Sequence, residues 1–280
     1  MCWVLAVVLG SAGLLAAAQP PASQPARLGK IVFSSDRGGS WRIWVMNEDG
    51  SGARQLLDGP EGADDVDPSF SPDGKSVLFT STRGGKAGVW RVPAGGGEPT
   101  RICDGDQADW SPDGRRIVLR RGGRIVVREL AGGKEATLTP EDLPACSGPS
   151  FSPDGKTVAF ASRQAERNAI WLVPAGGGTP VKLYDKDGAC EPHWSPDGKR
   201  IVYETETHVF TIGADGKGNR MVTWFGGLQR YPRFSPDGKR IVFCQAPAPT
   251  GPWEVYTIPA AGGAPQKLTE GASDMYPCWR

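Results

Sequence analysis

One tetrapeptide, Ser-Pro-Asp-Gly, occurs five times in this chain, at Ser71–Gly74, Ser111–Gly114, Ser152–Gly155, Ser195–Gly198 and Ser235–Gly238. Each copy follows an aromatic residue: Phe70, Trp110, Phe151, Trp194 and Phe234. Each precedes Lys or Arg and then a short apolar run, such as Val77-Leu78-Phe79. These are the residue types of a tight turn. Proline fixes φ at the second position, aspartate tolerates the third, and glycine accepts the left-handed conformation that leads into the next strand. Each copy therefore predicts a strand, a turn and an antiparallel strand. Serine and aspartate are read as turn residues, so replacing a turn serine by alanine is expected to cost little.

The glycines of the Gly-Lys/Arg pairs, Gly29, Gly74, Gly114, Gly155, Gly198 and Gly238, lie 45, 40, 41, 43 and 40 residues apart. Such a period suits a four-stranded propeller blade. A third strand in each period carries one bulky residue in register: Trp44, Trp90, Val126, Trp171, Phe210 and Tyr256. Gly-rich hairpins such as Pro93–Gly97 then lead to a short last strand, as at Gln55–Leu57, Val181–Leu183 or Gln266–Leu268. The first copy, from Gly29 to Phe33, holds only the strand after a turn. The last, Asp274–Arg280, holds only the strand before one. Each supplies what the other lacks, so the two should pair, complete one blade and close a ring. Closure removes the long exposed edges of a linear stack. The expected fold class is an all-β, six-bladed β-propeller of four-stranded antiparallel blades over residues 28–280.

The pattern aromatic-Ser-Pro-Asp-Gly-Lys-x-Ile/Val-x-Phe, with a later Ile-Trp-x-Val/Ile, resembles the WD-like repeat of TolB-type propellers. The resemblance covers nearly all of residues 28–280. TolB is a periplasmic component of the Tol-Pal envelope system, with an α/β domain ahead of its propeller. The stretch between Ala18 and Gly29 has no room for that domain, so the propeller alone is expected. Similar repeats stand beside peptidase domains of the prolyl oligopeptidase type and in oligogalacturonate lyases. The resemblance implies an exported protein that binds a protein or peptide, with an envelope protein as the partner class.

Charge and composition narrow the function classes. Of 280 residues, 32 are Lys or Arg and 31 Asp or Glu, a net charge of +1. That balance lacks the basic field that nucleic acid or an anionic membrane demands. The 39 glycines and 25 prolines fit many short strands joined by turns. Val4–Ala18 is an uncharged, apolar-rich run ending in small residues, which reads as a signal peptide over residues 1–18. It is short for a membrane span. Residues 19–27 then read as a Pro-rich linker. A periplasmic or secreted monomer without a membrane span in the mature chain is expected.

Ser195 and Asp197 lie close to His193, but four other copies of the turn lack a histidine, and a turn explains the tetrapeptide fully. No Gly-x-Ser-x-Gly elbow is present. No catalytic residues, metal or cofactor are therefore assigned. Five cysteines follow the apolar run, with Cys146 and Cys190 able to approach one another across neighbouring blades, although two buried thiols are the favoured reading. The informative positions flank the proline before each aromatic. After it stand Ser69, Asp109, Ser150, His193, Arg233 and Cys278; before it stand Asp67, Gln107, Gly148, Glu191, Tyr231 and Tyr276. In a propeller this strand is innermost, so these side chains should stand at the channel or its mouth. The frame repeats while these positions vary, as a site grafted on a scaffold would. Asp67, Asp109, Glu191, His193, Tyr231, Arg233 and Tyr276 are the candidate binding residues. The alternative is an enzyme or a carbohydrate-binding module that uses Asp67, Asp109, Glu191 and His193 for acid–base or metal work.

Overall fold

A computed structural model describes residues 29–280 apart from 165, 166 and 187. The expected signal peptide and linker lie outside the described residues. Every sheet is a four-stranded antiparallel blade, and six blades form the ring. We number them along the chain by their inner strands: Asp274–Trp279 in blade 1, Asp65–Phe70 in blade 2, Asp106–Trp110 in blade 3, Cys146–Phe151 in blade 4, Cys190–Trp194 in blade 5 and Leu228–Phe234 in blade 6.

Blade 1 is the one built from both ends of the sequence. Its order is Asp274–Trp279, Lys30–Ser35, Arg42–Asn47, Arg54–Gln55, with Ile31 opposite Trp279 and Ser35 opposite Asp274. Lys30 and Arg280 exchange backbone hydrogen bonds of 2.6 and 2.7 Å at the end of this ladder. Arg280 also donates to the carbonyl of Pro72, the proline of the neighbouring turn.

The third-strand register holds throughout. Trp44 faces Phe33, Trp90 faces Phe79, Trp171 faces Phe160, Phe210 faces Tyr203 and Tyr256 faces Phe243, with Val126 opposite Leu119 in blade 3. Apolar clusters fill the spaces between neighbouring blades. Val32, Ile43 and Val45 of blade 1 pack on Val77 and Phe79 of blade 2, and Val202 of blade 5 packs on Phe234 and Phe243 of blade 6. Burial of each such side chain contributes about 1.5–3 kcal/mol.

The five turns stand on one face of the ring, and the hairpins between second and third strands stand on the other. In the first turn Gly74 N donates to Ser71 O at 2.8 Å, and Gly74 has φ 69°, as the tight-turn reading requires. The serine does more than expected. Ser71 Oγ donates to Asp73 Oδ1 at 2.6 Å and accepts from Ser76 N at 3.0 Å, and the other four copies repeat this arrangement. The expectation that its loss costs little is corrected, because the hydroxyl is buried and doubly bonded.

Candidate functional site

Every inner strand breaks register at the Xaa-Pro step, between Val66 and Ser69 in blade 2 and at the matching place in the other five. The bulged residue has positive φ in every case: Asp67 53°, Gln107 49°, Gly148 57°, Glu191 48°, Tyr231 54° and Tyr276 55°. Such a bulge re-aims a side chain, and here it turns six side-chain positions into the channel. Proline does not cause it, since Gln107 precedes Ala108 and has the same conformation. The one glycine among the six aligned residues is the sequence signal for this conformation.

These six positions plug the channel at mid-depth and leave a cavity of about 40 Å³. That is room for a few waters. Gln107 Nε2 reaches Glu191 Oε1 at 3.3 Å across blade 4, and Gly148 N donates to Gln107 Oε1 at 3.1 Å. The crossing depends on Gly148, because a Cβ there would lie 2.8 Å from Glu191 Oε2. Tyr231 and Tyr276 pack with ring centroids 4.1 Å apart.

The residues after the proline form a second layer, nearer the turn face. Arg233 of blade 6 extends across the axis to Asp109 of blade 3, 3.6 Å away, and Ser69 Oγ donates to Asp109 Oδ1 at 2.8 Å. Above this bar opens a funnel of about 300 Å³. Its wall carries Phe70, Trp110, Phe151, Trp194, Phe234 and Trp279, and its floor carries Asp109, His193 and Arg233. Two buried polar atoms here lack partners among the described residues, His193 Nδ1 and Trp194 Nε1. The matching indole of Trp110 donates to Ser69 O at 3.1 Å.

The candidate residues thus divide. Asp109 lines the funnel, His193 and Arg233 line both the funnel and the plug cavity, and Asp67, Glu191, Tyr231 and Tyr276 line the plug cavity and not the funnel. Arg233 spans the channel and meets an acid of the opposite blade. Burial, then Glu191 and Asp106, push the Asp67 carboxyl up to about 7, with Arg233 and Arg120 offsetting part of the rise. Asp67 and Glu191 are only half-buried by surface area, but the few waters of the cavity restore little of bulk hydration. Burial raises Glu191 as well. Burial and the Arg233 cation lower His193 to about 4, so its imidazole is neutral at pH 7. Burial also raises both tyrosine hydroxyls.

Cys103, Cys146, Cys190, Cys244 and Cys278 are free thiols, so Cys146 and Cys190 are not bridged. Among the described residues no three His, Cys, Asp or Glu side chains group as metal ligands. Sequence reasoning missed a polar pocket of about 460 Å³ on the hairpin face, over blades 4 to 6, lined among others by Arg163, Arg167 and Arg230. Its lining comes from three blades, and only the folded ring brings them together.

The fold and its plugged axis define a closed six-bladed β-propeller with a funnel open on its turn face. The TolB β-propeller domain family matches residues 14–188 and 110–280, and the chain belongs to that family. It is 29% identical over 184 residues to the protein named "Uncharacterized protein Atu1656" of Agrobacterium fabrum, 60% of each chain. It is 29% identical over 116 residues to dipeptidyl-peptidase 5 of Arthroderma benhamiae, 37% of this chain and 16% of the peptidase. The chain therefore spans less than two thirds of either relative. Among solved structures it is similar to TolB from Acinetobacter baumannii, with a TM-score of 0.77 and 18% identity over 90% of this chain and 66% of that one. At that identity the likeness shows the fold.

Proposed function

We propose that this protein is an exported, non-enzymatic propeller of the cell envelope that binds a protein or peptide at the funnel on its turn face. The observation that carries the reading is the funnel floor. There His193 and the Arg233–Asp109 pair stand under an aromatic wall that includes Trp194. Tyrosine, tryptophan and arginine carry most interface energy where they are desolvated. The occupant would be a short segment with an apolar side chain for the wall and a carbonyl or carboxylate for Arg233. Membership of the TolB family and the apolar run at Val4–Ala18 support the envelope and export parts of the reading.

A second reading, an enzyme or carbohydrate-binding module at the channel, draws on the raised carboxyls of Asp67 and Glu191, since perturbed groups gather at functional sites. The size of the plug cavity favours binding over catalysis, because about 40 Å³ admits water and no substrate.

Peptides selected by display on the wild type would be measured against His193→Leu, Arg233→Lys and the exposed control Lys186→Ala. Weakening of about tenfold or more by His193→Leu, with no change in the control, is the expected result. Equal affinity for all the variants would remove the funnel as the binding site. Turnover of a peptide or oligosaccharide that Asp67→Asn abolishes would establish the second reading instead.

A further inference from the structure

The pocket on the hairpin face is independent of the funnel. Its wall is the strand pair Thr157–Gln164 and Arg167–Pro174, the longest in the molecule at eight residues each. Arg163 and Arg167 stand on that wall, exposed, and Arg230 stands on the opposite side. Asn168, opposite Arg163 in the ladder, donates to Cys190 Sγ at 2.7 Å and ties the wall to the pocket base.

Arginines that serve the fold look different in this protein. Arg37 donates to Asp274 at 2.7 Å and lies over the Trp44 ring at 4.5 Å. Arg83 makes the same pair with Asp65 at 2.7 Å and lies over Trp90 at 5.4 Å. Each aspartate is fully buried at the start of an inner strand and faces a serine, Ser35 or Ser81. In blade 4 the residue facing Ser162 is Cys146, which cannot hold a guanidinium. Among the described residues, Arg163 and Arg167 make no ion pair or hydrogen bond through their side chains. Arg230 donates Nη1 to the Thr205 carbonyl and has Nε 3.6 Å from Glu204 Oε1.

We propose that this pocket binds a small molecule through a carboxylate or phosphate group gripped by Arg163, Arg167 and Arg230. The guanidinium fork matches either oxyanion with paired charge-assisted hydrogen bonds. A volume of about 460 Å³ exceeds a bare ion and suits a small metabolite. Glu206 on the same rim offers a carboxylate acceptor for hydroxyl or amino groups on the rest of the ligand. Three carboxyls, Glu191, Glu204 and Glu206, also line the pocket. Burial and the neighbouring Glu191 push Glu204 up to about 8, with Arg230 offsetting only part, so Glu204 adds little negative charge at neutral pH.

Titration calorimetry at low salt with citrate and with inorganic phosphate tests this on the full chain. The variants are Arg163→Ala/Arg167→Ala, the exposed control Arg115→Ala, and His193→Leu from the other face. Saturable binding of one ion or both is expected, weakened about tenfold or more in the double variant and unchanged in the other two. The ion bound more tightly assigns the head group. Absence of saturable binding for both ions, or equal weakening by Arg115→Ala, would overturn the proposal. Loss in His193→Leu alone would overturn it too, by placing the anion in the funnel.

Discussion

At Ser152 the hydroxyl donates to Asp154 Oδ1 at 2.6 Å and accepts from Thr157 N at 3.0 Å, with the residue 5% exposed. Ser152→Ala strands that buried N–H, so a loss of about 1–2 kcal/mol is expected in urea unfolding. Gly155 has φ 68°, and a Cβ there would come 3.3 Å from Pro112 Cγ of the preceding turn. Gly155→Val should therefore cost more, at least about 2 kcal/mol, from backbone strain and that contact. A smaller loss for valine than for alanine would contradict this account of the turn. The turn was legible because all its determinants lie within four adjacent residues. The left-handed bulges were not, since Gln107, Glu191, Tyr231 and Tyr276 are residue types that rarely adopt positive φ.

The strand Asp274–Trp279 is the element on which closure depends. Removing residues 274–280 would unpair Lys30–Ser35, expose the blade 6 side of the joint and take Trp279, 9% exposed, out of the cluster with Ile31, Phe33 and Val242. Loss of an aromatic from a core costs about 3–5 kcal/mol, so the thermal midpoint should fall by roughly 6 °C or more. A shift of a degree or two in calorimetry would mean that the ring is held elsewhere. Closure was legible because two half-repeats can complete only each other. The outer strands were legible only in outline. At Arg54–Gln55 and Gln266–Lys267 they hold two residues each, although Leu56 and Leu268 still donate to Ile43 and Val255. Residues this exposed leave little apolar pattern to read.

Across the whole molecule the channel groups couple stability to pH. Folded Asp67 titrates near 7 against an ordinary 3.8, and Glu204 near 8 against 4.5. Both hold protons in the folded state that the unfolded chain has released, so each contribution is fully present at low pH and is lost as pH rises through the folded value. His193 runs the other way, near 4 against 6.5, and favours the folded state increasingly as pH rises between those values. The two trends oppose each other below about 6.5. Above it the raised carboxyls carry the trend, so stability should fall from pH 6.5 to about 8. Asp67→Asn/Glu204→Gln should flatten that fall in urea titrations. A wild-type stability that rises across this window would refute the assignment. These couplings were not legible, because Arg233 meets Asp109 from three blades away and only the ring's diameter sets that meeting.

The joint of blade 1 has a mechanical consequence. Lys30 and Arg280 lie side by side at one end of the same antiparallel ladder. A load applied between residues 29 and 280 therefore pulls the first and last strands apart bond by bond, like a zip opened from its slider. Handles placed instead at Lys30 and Asp274, at opposite ends of the two paired strands, would shear the ladder's bonds together. In optical tweezers the ring should open at a distinctly lower force in the first geometry. A propeller that resists heat through closure would thus still yield readily to tension across its seam.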